Sequence, residues 1–232
     1  MKLVYLNARS LAGDSKRRCF EFEIIRQFDY PDIVVVTETW LNDKIPTSLF
    51  DCAKHYNVYR LDRQGRPGGG VAIFVKRNIR SHDVFVPNVD GLEALAVAVV
   101  LKKSKLFISS IYKPSVSDVH LLAPLKRFVE HIISKRGRHV FVGDFNLPDV
   151  DWINLTAPGN GKQDKFLNIF TKRGLSQLVR TPTRGNNILD LIFVDDVNVV
   201  NQVKVLETFA SSDHSVVMVD LSLYLSLLET GN

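Results

Sequence analysis

Residues 138–152 read Arg-His-Val-Phe-Val-Gly-Asp-Phe-Asn-Leu-Pro-Asp-Val-Asp-Trp. Val140, Phe141 and Val142 form a short, β-prone apolar run, which reads as a buried strand ending at Gly143. Asp144 and Asn146 stand just beyond that end, two residues apart, so both can lean to the same side. Open α/β sheets gather ligands at such strand ends. A carboxylate there can hold a hard cation or take a proton from water. An Asp–Asn turn that caps a loop is the ordinary alternative. Pro148 stops the strand.

Working outward, the same position recurs. Residues 2–6 alternate and read as a strand ending at Asn7. Residues 15–28 carry Phe20, Ile24, Ile25 and Phe28 at helical spacing, with Asp14 or Ser15 as the N-cap. Pro31 ends that helix, and Ile33–Val36 is a second buried strand with Glu38 just past it. From residue 55 the pattern is meandering strands at 56–60, 70–76, 79–86, 93–101 and 105–112. The run Gly68-Gly69-Gly70 reads as a tight turn before a strand, since neither a Lys-Ser/Thr nor a helix follows it. Tyr112 ends the last of these strands. Residues 118–134 and 163–173 read as helices, the second stopped by Gly174. Strands are expected at 188–194, 199–206 and 216–221, the first of them preceded by residues 176–180 and the loop 181–187. One domain, 1–222, is expected, followed by a tail, 223–232.

Composition narrows the class. The 232 residues are 45% hydrophobic and 24% charged, as in ordinary globular chains. No apolar run approaches a membrane span, so no membrane partner is expected. Cys19 and Cys52 fit no metal spacing and read as free thiols. A net charge of +5 favours a polyanionic partner.

Six strand edges therefore carry polar groups: Asn7, Glu38, Tyr112, Asp144 with Asn146, Asp190, and Asp213 with His214. Each alone has an ordinary explanation as a turn residue, a surface charge or a satisfied core group. Asp190 interrupts an apolar run, which is costly unless it is paired. Together they supply a cation-binding carboxylate, a water-activating carboxylate, an amide, a phenol and an imidazole beside an acid. Metal-assisted attack of water on a phosphodiester needs these parts. An oxygen-rich set without thiolates suits Mg²⁺, or Mn²⁺, rather than zinc. The remaining histidines, His139 among them, have no comparable neighbours and read as structural or surface groups. Phe193-Val194-Asp195-Asp196 resembles a polymerase Asp pair, but nothing else of a polymerase accompanies it, so it reads as a strand ending in an acidic turn.

Seven motifs in order resemble the exonuclease–endonuclease–phosphatase superfamily, and more narrowly the endonuclease domain of non-LTR retrotransposons. They are Leu6-Asn7-Ala8-Arg9-Ser10-Leu11, Thr37-Glu38-Thr39-Trp40, Ser109-Ser110-Ile111-Tyr112-Lys113-Pro114, Gly143-Asp144-Phe145-Asn146-Leu147-Pro148, Thr181-Pro182-Thr183-Arg184, Asn187-Ile188-Leu189-Asp190-Leu191-Ile192-Phe193 and Ser211-Ser212-Asp213-His214-Ser215. The resemblance implies a DNase I-like, four-layer α/β sandwich: two packed, mostly antiparallel sheets flanked by helices. It implies that Glu38, helped by Asn7, ligates the metal. Asp144 orients or deprotonates the water, and Asn146 positions it. Tyr112 donates to the phosphate or leaving oxygen. His214, held by Asp190, contacts the phosphate, and Asp213 adds metal or water contacts. Abasic-site endonucleases carry an acidic residue where this chain has Arg9, and the retrotransposon pattern carries a basic one.

The activity implied is a divalent-metal-dependent nick in one strand of double-stranded DNA. Its 3′-hydroxyl would prime reverse transcription by a polymerase domain in the same polyprotein. The setting implied is nuclear, after synthesis in the cytoplasm. Arg9, Lys44, Arg63, Arg66, Lys113, Arg180 and Arg184 are expected to track phosphates, and the loop with Asn186 and Asn187 to contact a groove. The alternatives are a phosphoesterase of the same fold acting on lipid or inositol phosphates, and a catalytically silent DNA-binding module.

Overall fold

The computed structural model describes residues 1–87, 89–114, 119–157 and 161–223. Most of the expected tail, and residue 118 of the second expected helix, lie outside these residues. In chain order the elements begin with β1 (Lys2–Asn7), α1 (Asp14–Cys19) running into a π-helix (Phe20–Arg26), β2 (Ile33–Thr37), β3 (Tyr56–Leu61) and β4 (Val71–Lys76). Then come β5 (Ser81–Asp83), β6 (Glu93–Val100), β7 (Lys105–Tyr112), α2 (Leu122–Ile133), β8 (Arg138–Asp144) and α3 (Lys162–Thr171). The last are β9 (Ser176–Gln177), β10 (Asp190–Val194), β11 (Val200–Thr208) and β12 (Ser215–Leu221).

The strands form two six-stranded sheets, ordered β11-β12-β1-β2-β4-β3 and β5-β6-β7-β8-β10-β9. Each sheet holds one parallel pair at its centre, β1–β2 and β7–β8, and its other pairings are antiparallel. A parallel pair needs a long crossover, and here helical segments on the outer faces supply it. Side-chain alternation then sets the layers. Leu3 and Tyr5 of β1 face the second sheet in a core with Val35, Ile108, Val140, Val142 and Ile192. Val4 and Leu6 face the first helix, packing with Phe20, Ile24, Ile25 and Phe74. On the far side, Phe141 and Phe193 pack under α2 and α3 against Phe128, Val129 and Phe170. The result is helix, sheet, sheet, helix, the four layers the motifs implied.

Local differences have local causes. The first helix is not a uniform α-helix. Its N-cap is Gly13 without a side-chain cap, and Asp14 instead pairs with Arg18 at 2.5 Å. The chain widens into π turns from Phe20, where Arg26 donates to Glu21 five residues back at 3.2 Å, the spacing of that wider turn. The strand expected at 79–86 pairs only over Ser81–Asp83 at the sheet edge. Of residues 176–180 only Ser176 and Gln177 pair as a strand, and the Gln177 amide folds forward onto the Val179 carbonyl at 2.8 Å. Asp144 and Asp190 belong to their strands and lie opposite each other in the β8–β10 register. At the neck of the central strand, a Cβ on Gly143 would lie 1.8 Å from the Ile111 carbonyl oxygen, so only glycine fits between β7 and β8. Among the described residues no helix is long and apolar enough to cross a membrane.

Candidate active site

The C-terminal ends of the two central parallel pairs meet at one edge of the sandwich. β1 delivers Asn7, β2 leads into Glu38, β7 ends on Tyr112 and β8 on Asp144. Antiparallel neighbours bring Asp190 in at the start of β10 and His214 just before β12. Glu38 and Asn146 both adopt positive φ, 55° and 46°, unusual for residues with side chains. Such strain is commonly held at working sites.

Asp144 sits at the centre, almost fully buried. Its Oδ2 accepts from Asn7 Nδ2 at 2.9 Å and Asn146 Nδ2 at 3.1 Å, and its Oδ1 accepts the Asn146 backbone N–H at 3.0 Å. The second Asn146 amide hydrogen reaches the Lys113 carbonyl at 3.0 Å. The two amides therefore fix the carboxylate from both sides. His214 Nε2 faces the same Oδ2 at 4.0 Å, and His214 Nδ1 bonds Asp190 Oδ2 at 2.8 Å. Asp190 Oδ1 accepts from the Tyr5 hydroxyl at 2.7 Å, and the Asp190 backbone N–H donates to Thr183 Oγ1 at 3.1 Å. On the other flank, Glu38 accepts from Trp40 Nε1, from the Gly69 N–H at 3.2 Å, and from the Tyr112 phenol.

The electrostatics follow from burial. Desolvation, and then repulsion from Asp190, push the Asp144 carboxyl up to about 7. Burial alone would lower His214, but its bond to Asp190 and the charges of Asp190 and Asp144 outweigh that and raise it. Burial, and then the bond to Glu38, raise Tyr112. Asp144 and His214 are thus a carboxyl and an imidazole that both hold their protons more tightly than usual, the kind of perturbed pair that general acid–base work uses.

Seven of the eight expected catalytic residues converge: Asn7, Glu38, Tyr112, Asp144, Asn146, Asp190 and His214. Asp213 does not point inward. It accepts from Arg9 at 3.0 Å and Arg184 at 2.7 Å at the rim, so it organises two arginines. Those arginines, expected at phosphates, are held by a carboxylate. Lys113, also expected at phosphates, is only 1% exposed, with its ammonium 4.8 Å from the Phe166 ring centroid. Arg63 is likewise turned inward, onto Glu93. Arg180 donates to the Trp152 carbonyl at 3.0 Å. Asn186 and Asn187 are exposed on a tight turn closed by Arg184 and Asn187. Lys44 and Arg66 are exposed.

Three supporting residues escaped the sequence reading: Tyr5, Thr183 and Ser212, whose hydroxyl holds the Asn7 carbonyl at 2.7 Å. For Tyr5 the signal was a polar tip inside an apolar, inward-facing strand; Thr183 and Ser212 lie in polar loops within two of the motifs, where nothing local marks their role. His139, which the sequence leaves without a partner, bonds Asp195 at 2.8 Å. Asp195 and Asp196 do form the acidic turn, with Asp196 capping Asn198 and pairing with Arg138.

The donor set fits a hard divalent cation. Asp144, Asp190 and His214 bring ligand atoms within 4.8 Å of one another. Glu38 and the Asn7 side-chain oxygen, which accepts the Arg9 N–H at 3.1 Å, add two further oxygen donors at the same edge. That is an oxygen-rich set, and the like-charge crowding that raises Asp144 is what a cation relieves.

Solved structures of several proteins share the fold. The endonuclease domain of TRAS1, a telomere-specific non-LTR retrotransposon, aligns with a TM-score of 0.71 at 17% identity over 96% of this chain and 98% of that one. The 3′ phosphatase NExo from Neisseria, bound to a product DNA hairpin, aligns with a TM-score of 0.72 at 18% identity over 95% and 99%. The catalytic domain of Xenopus laevis APE2 aligns with a TM-score of 0.70 at 16% identity over 99% and 94%. Comparison with curated proteins finds none that matches. The sequence profile of the endonuclease/exonuclease/phosphatase family matches residues 4–214, nearly the whole described chain, and the protein belongs to that family.

Proposed function

We propose that this protein is a divalent-metal-dependent DNA endonuclease that nicks one strand, leaving a 3′-hydroxyl and a 5′-phosphate. The observation that carries the reading is the paired arrangement of a carboxylate locked by two amides, Asp144 between Asn7 and Asn146, opposite a His214–Asp190 pair. Asp144 accepts the proton of the attacking water, and Asn146 and Asn7 keep its oxygens aimed. His214 presents Nε2 to a phosphate oxygen, while Asp190 holds its Nδ1–H and Tyr5 keeps Asp190 in place. Tyr112 donates to the oxygen that leaves. Glu38, with Asn7 and Asp144, would hold Mg²⁺ or Mn²⁺, which when bound supplies positive charge beside the phosphoryl oxygens. Arg9 and Arg184, splayed by Asp213 at the rim, and the 180–187 turn with Asn186 and Asn187 face the DNA backbone. Arg9 at its position, and the TRAS1 likeness, support a retroelement role. In that role the 3′-hydroxyl primes reverse transcription by a polymerase of the same polyprotein, on chromosomal DNA in the nucleus.

The test is incubation of supercoiled plasmid in Mg²⁺, with EDTA and Glu38→Ala controls. Nicked circles that need both metal and Glu38 are expected. Metal-dependent hydrolysis of inositol phosphates without nicking would move the function to small phosphoesters. Folded protein that binds DNA and cuts nothing would make it a binding module.

A further inference from the structure

Beside the catalytic groups lies a buried ion pair that the chemistry does not use. Arg63 Nε and one terminal nitrogen approach Glu93 Oε1 at 2.7 and 2.6 Å, with both side chains about nine-tenths buried. Burying such a pair costs several kcal/mol of desolvation per ion in round terms, about what a hydrophobic pair would avoid, so its retention calls for a reason. Its surroundings supply one. Glu93 Oε2 accepts the Gly70 N–H at 2.6 Å. The Arg63 guanidinium lies flat on Gly69, where a Cβ would fall 2.2 Å from Nε, and Gly69 has φ +67°. The guanidinium carbon stands 5.6 Å from the Tyr112 ring centroid. Gly69 and Gly70 in turn bond the backbone of Trp40 and Thr39 at 2.8 and 3.2 Å, and the Gly69 N–H holds Glu38. The glycine run is thus a floor for a guanidinium.

We propose that Arg63 and Glu93 are positioning residues that fix Glu38 and Tyr112, through the Gly68–Gly70 turn and the Tyr112 ring. Arg63 Nη1 donates to the Pro67 carbonyl at 3.3 Å, while Nη2 is buried against Glu93 as an ion-pair contact without a hydrogen bond of its own, so the guanidinium is turned into the protein. Arg63 is therefore not a phosphate contact. The catalytic part of this proposal rests on the endonuclease reading; the statement about DNA binding does not.

Two measurements test it on the whole chain: plasmid-nicking kinetics in Mg²⁺, and the salt dependence of DNA affinity by fluorescence anisotropy in EDTA. Arg63→Ala and Glu93→Gln are expected to lower kcat about 100-fold, as a displaced reacting group does. KM should stay within about twofold of wild type. Arg63→Lys should not rescue, because an ammonium lacks the planar fork and the flat face. Gly69→Ala, which lifts the guanidinium and keeps the charge, should lose kcat likewise. It guards against a variant at Arg63 that fails to fold. Binding should keep the wild-type salt slope in all four. Wild-type kcat with a raised KM, or a salt slope reduced by about one counterion for Arg63→Ala, would overturn the proposal. If the wild type does not nick, the endonuclease reading falls, and the salt slope alone still decides whether Arg63 touches DNA.

Discussion

The strand pair β8–β10 carries a histidine–aspartate pair at each end. At one end His214 Nδ1 meets Asp190 Oδ2 at 2.8 Å; at the other His139 Nδ1 meets Asp195 Oδ2 at 2.8 Å. Both histidines are buried. What differs is the second nitrogen. His139 Nε2 meets the Lys135 carbonyl at 3.1 Å, and its ring stacks on Phe107 with centroids 5.4 Å apart and planes 13° apart. His214 Nε2 faces Asp144 across 4.0 Å. One pair has both nitrogens occupied and packs; the other keeps one nitrogen for chemistry. A His–Asp contact is therefore no sign of catalysis until the far nitrogen is accounted for.

The largest expected effect separates the pairs outright. His214→Ala should cut nicking about 1,000-fold, the loss of an acid–base partner, with the fold retained. His139→Ala should keep the nicking rate and lose about 1–3 kcal/mol of stability from removing a buried, stacked ring and its bond to Asp195, read by urea denaturation.

The pairs should also mark opposite limbs of the pH–stability curve. At the site, Asp144 is raised by burial and by Asp190, and His214 is raised by Asp190 and Asp144 over the opposing effect of its burial. Both groups hold more protons folded than unfolded. The Asp144 contribution is complete below the ordinary carboxylate range and is lost as pH rises to about 7, and that of His214 is complete below the ordinary imidazole range and is lost as pH rises through its raised value. Metal-free protein should thus melt at a lower temperature at pH 8 than at pH 5.5. Asp144→Asn should flatten that fall by on the order of 2 kcal/mol while abolishing nicking. Added Mg²⁺ should flatten it in the wild type.

At the far end the sign reverses. Burial pushes Asp195 up, but its bonds from the His139 side chain and backbone bring it below the usual carboxylate range. Its stabilisation is present above that range and disappears as pH falls through the lowered value. Because Asp195 is a quarter exposed, the loss should be about 1 kcal/mol at most after screening, and absent in His139→Ala.

The smallest effect is at the rim. Arg184→Ala frees Asp213 and removes one cation, so DNA affinity should weaken a few-fold and its salt slope drop by about one. Exchange of the loop 180–187 should move nick positions without changing the total rate; unchanged positions would take this loop out of target choice.

The sequence carried the fold because alternation along β1, β2 and β8 and the glycine and proline stops were local signals. It also placed Asn7, Glu38, Tyr112, Asp144 and His214 at one edge, because each follows a readable strand. It did not show which charges turn inward. Lys113 and Arg63 look like any loop cations until Phe166 and Glu93 are seen beneath them. The Tyr5–Asp190 bond joins residues 185 positions apart across two sheets, and the Arg9–Asp213 bridge spans 204. The π turns at Phe20–Arg26 were hidden because Phe20, Ile24 and Ile25 satisfy either helical period.

The central claim is that the open nitrogen of His214, not the His–Asp contact itself, makes one end of β8–β10 a reaction site. The direct measurement is the initial rate of supercoiled-plasmid nicking in Mg²⁺ for wild type, His214→Ala and His139→Ala, each shown to be folded. Metal-dependent nicking that survives in His139→Ala and vanishes in His214→Ala is the result this account predicts. Nicking by His214→Ala at the wild-type rate would contradict it.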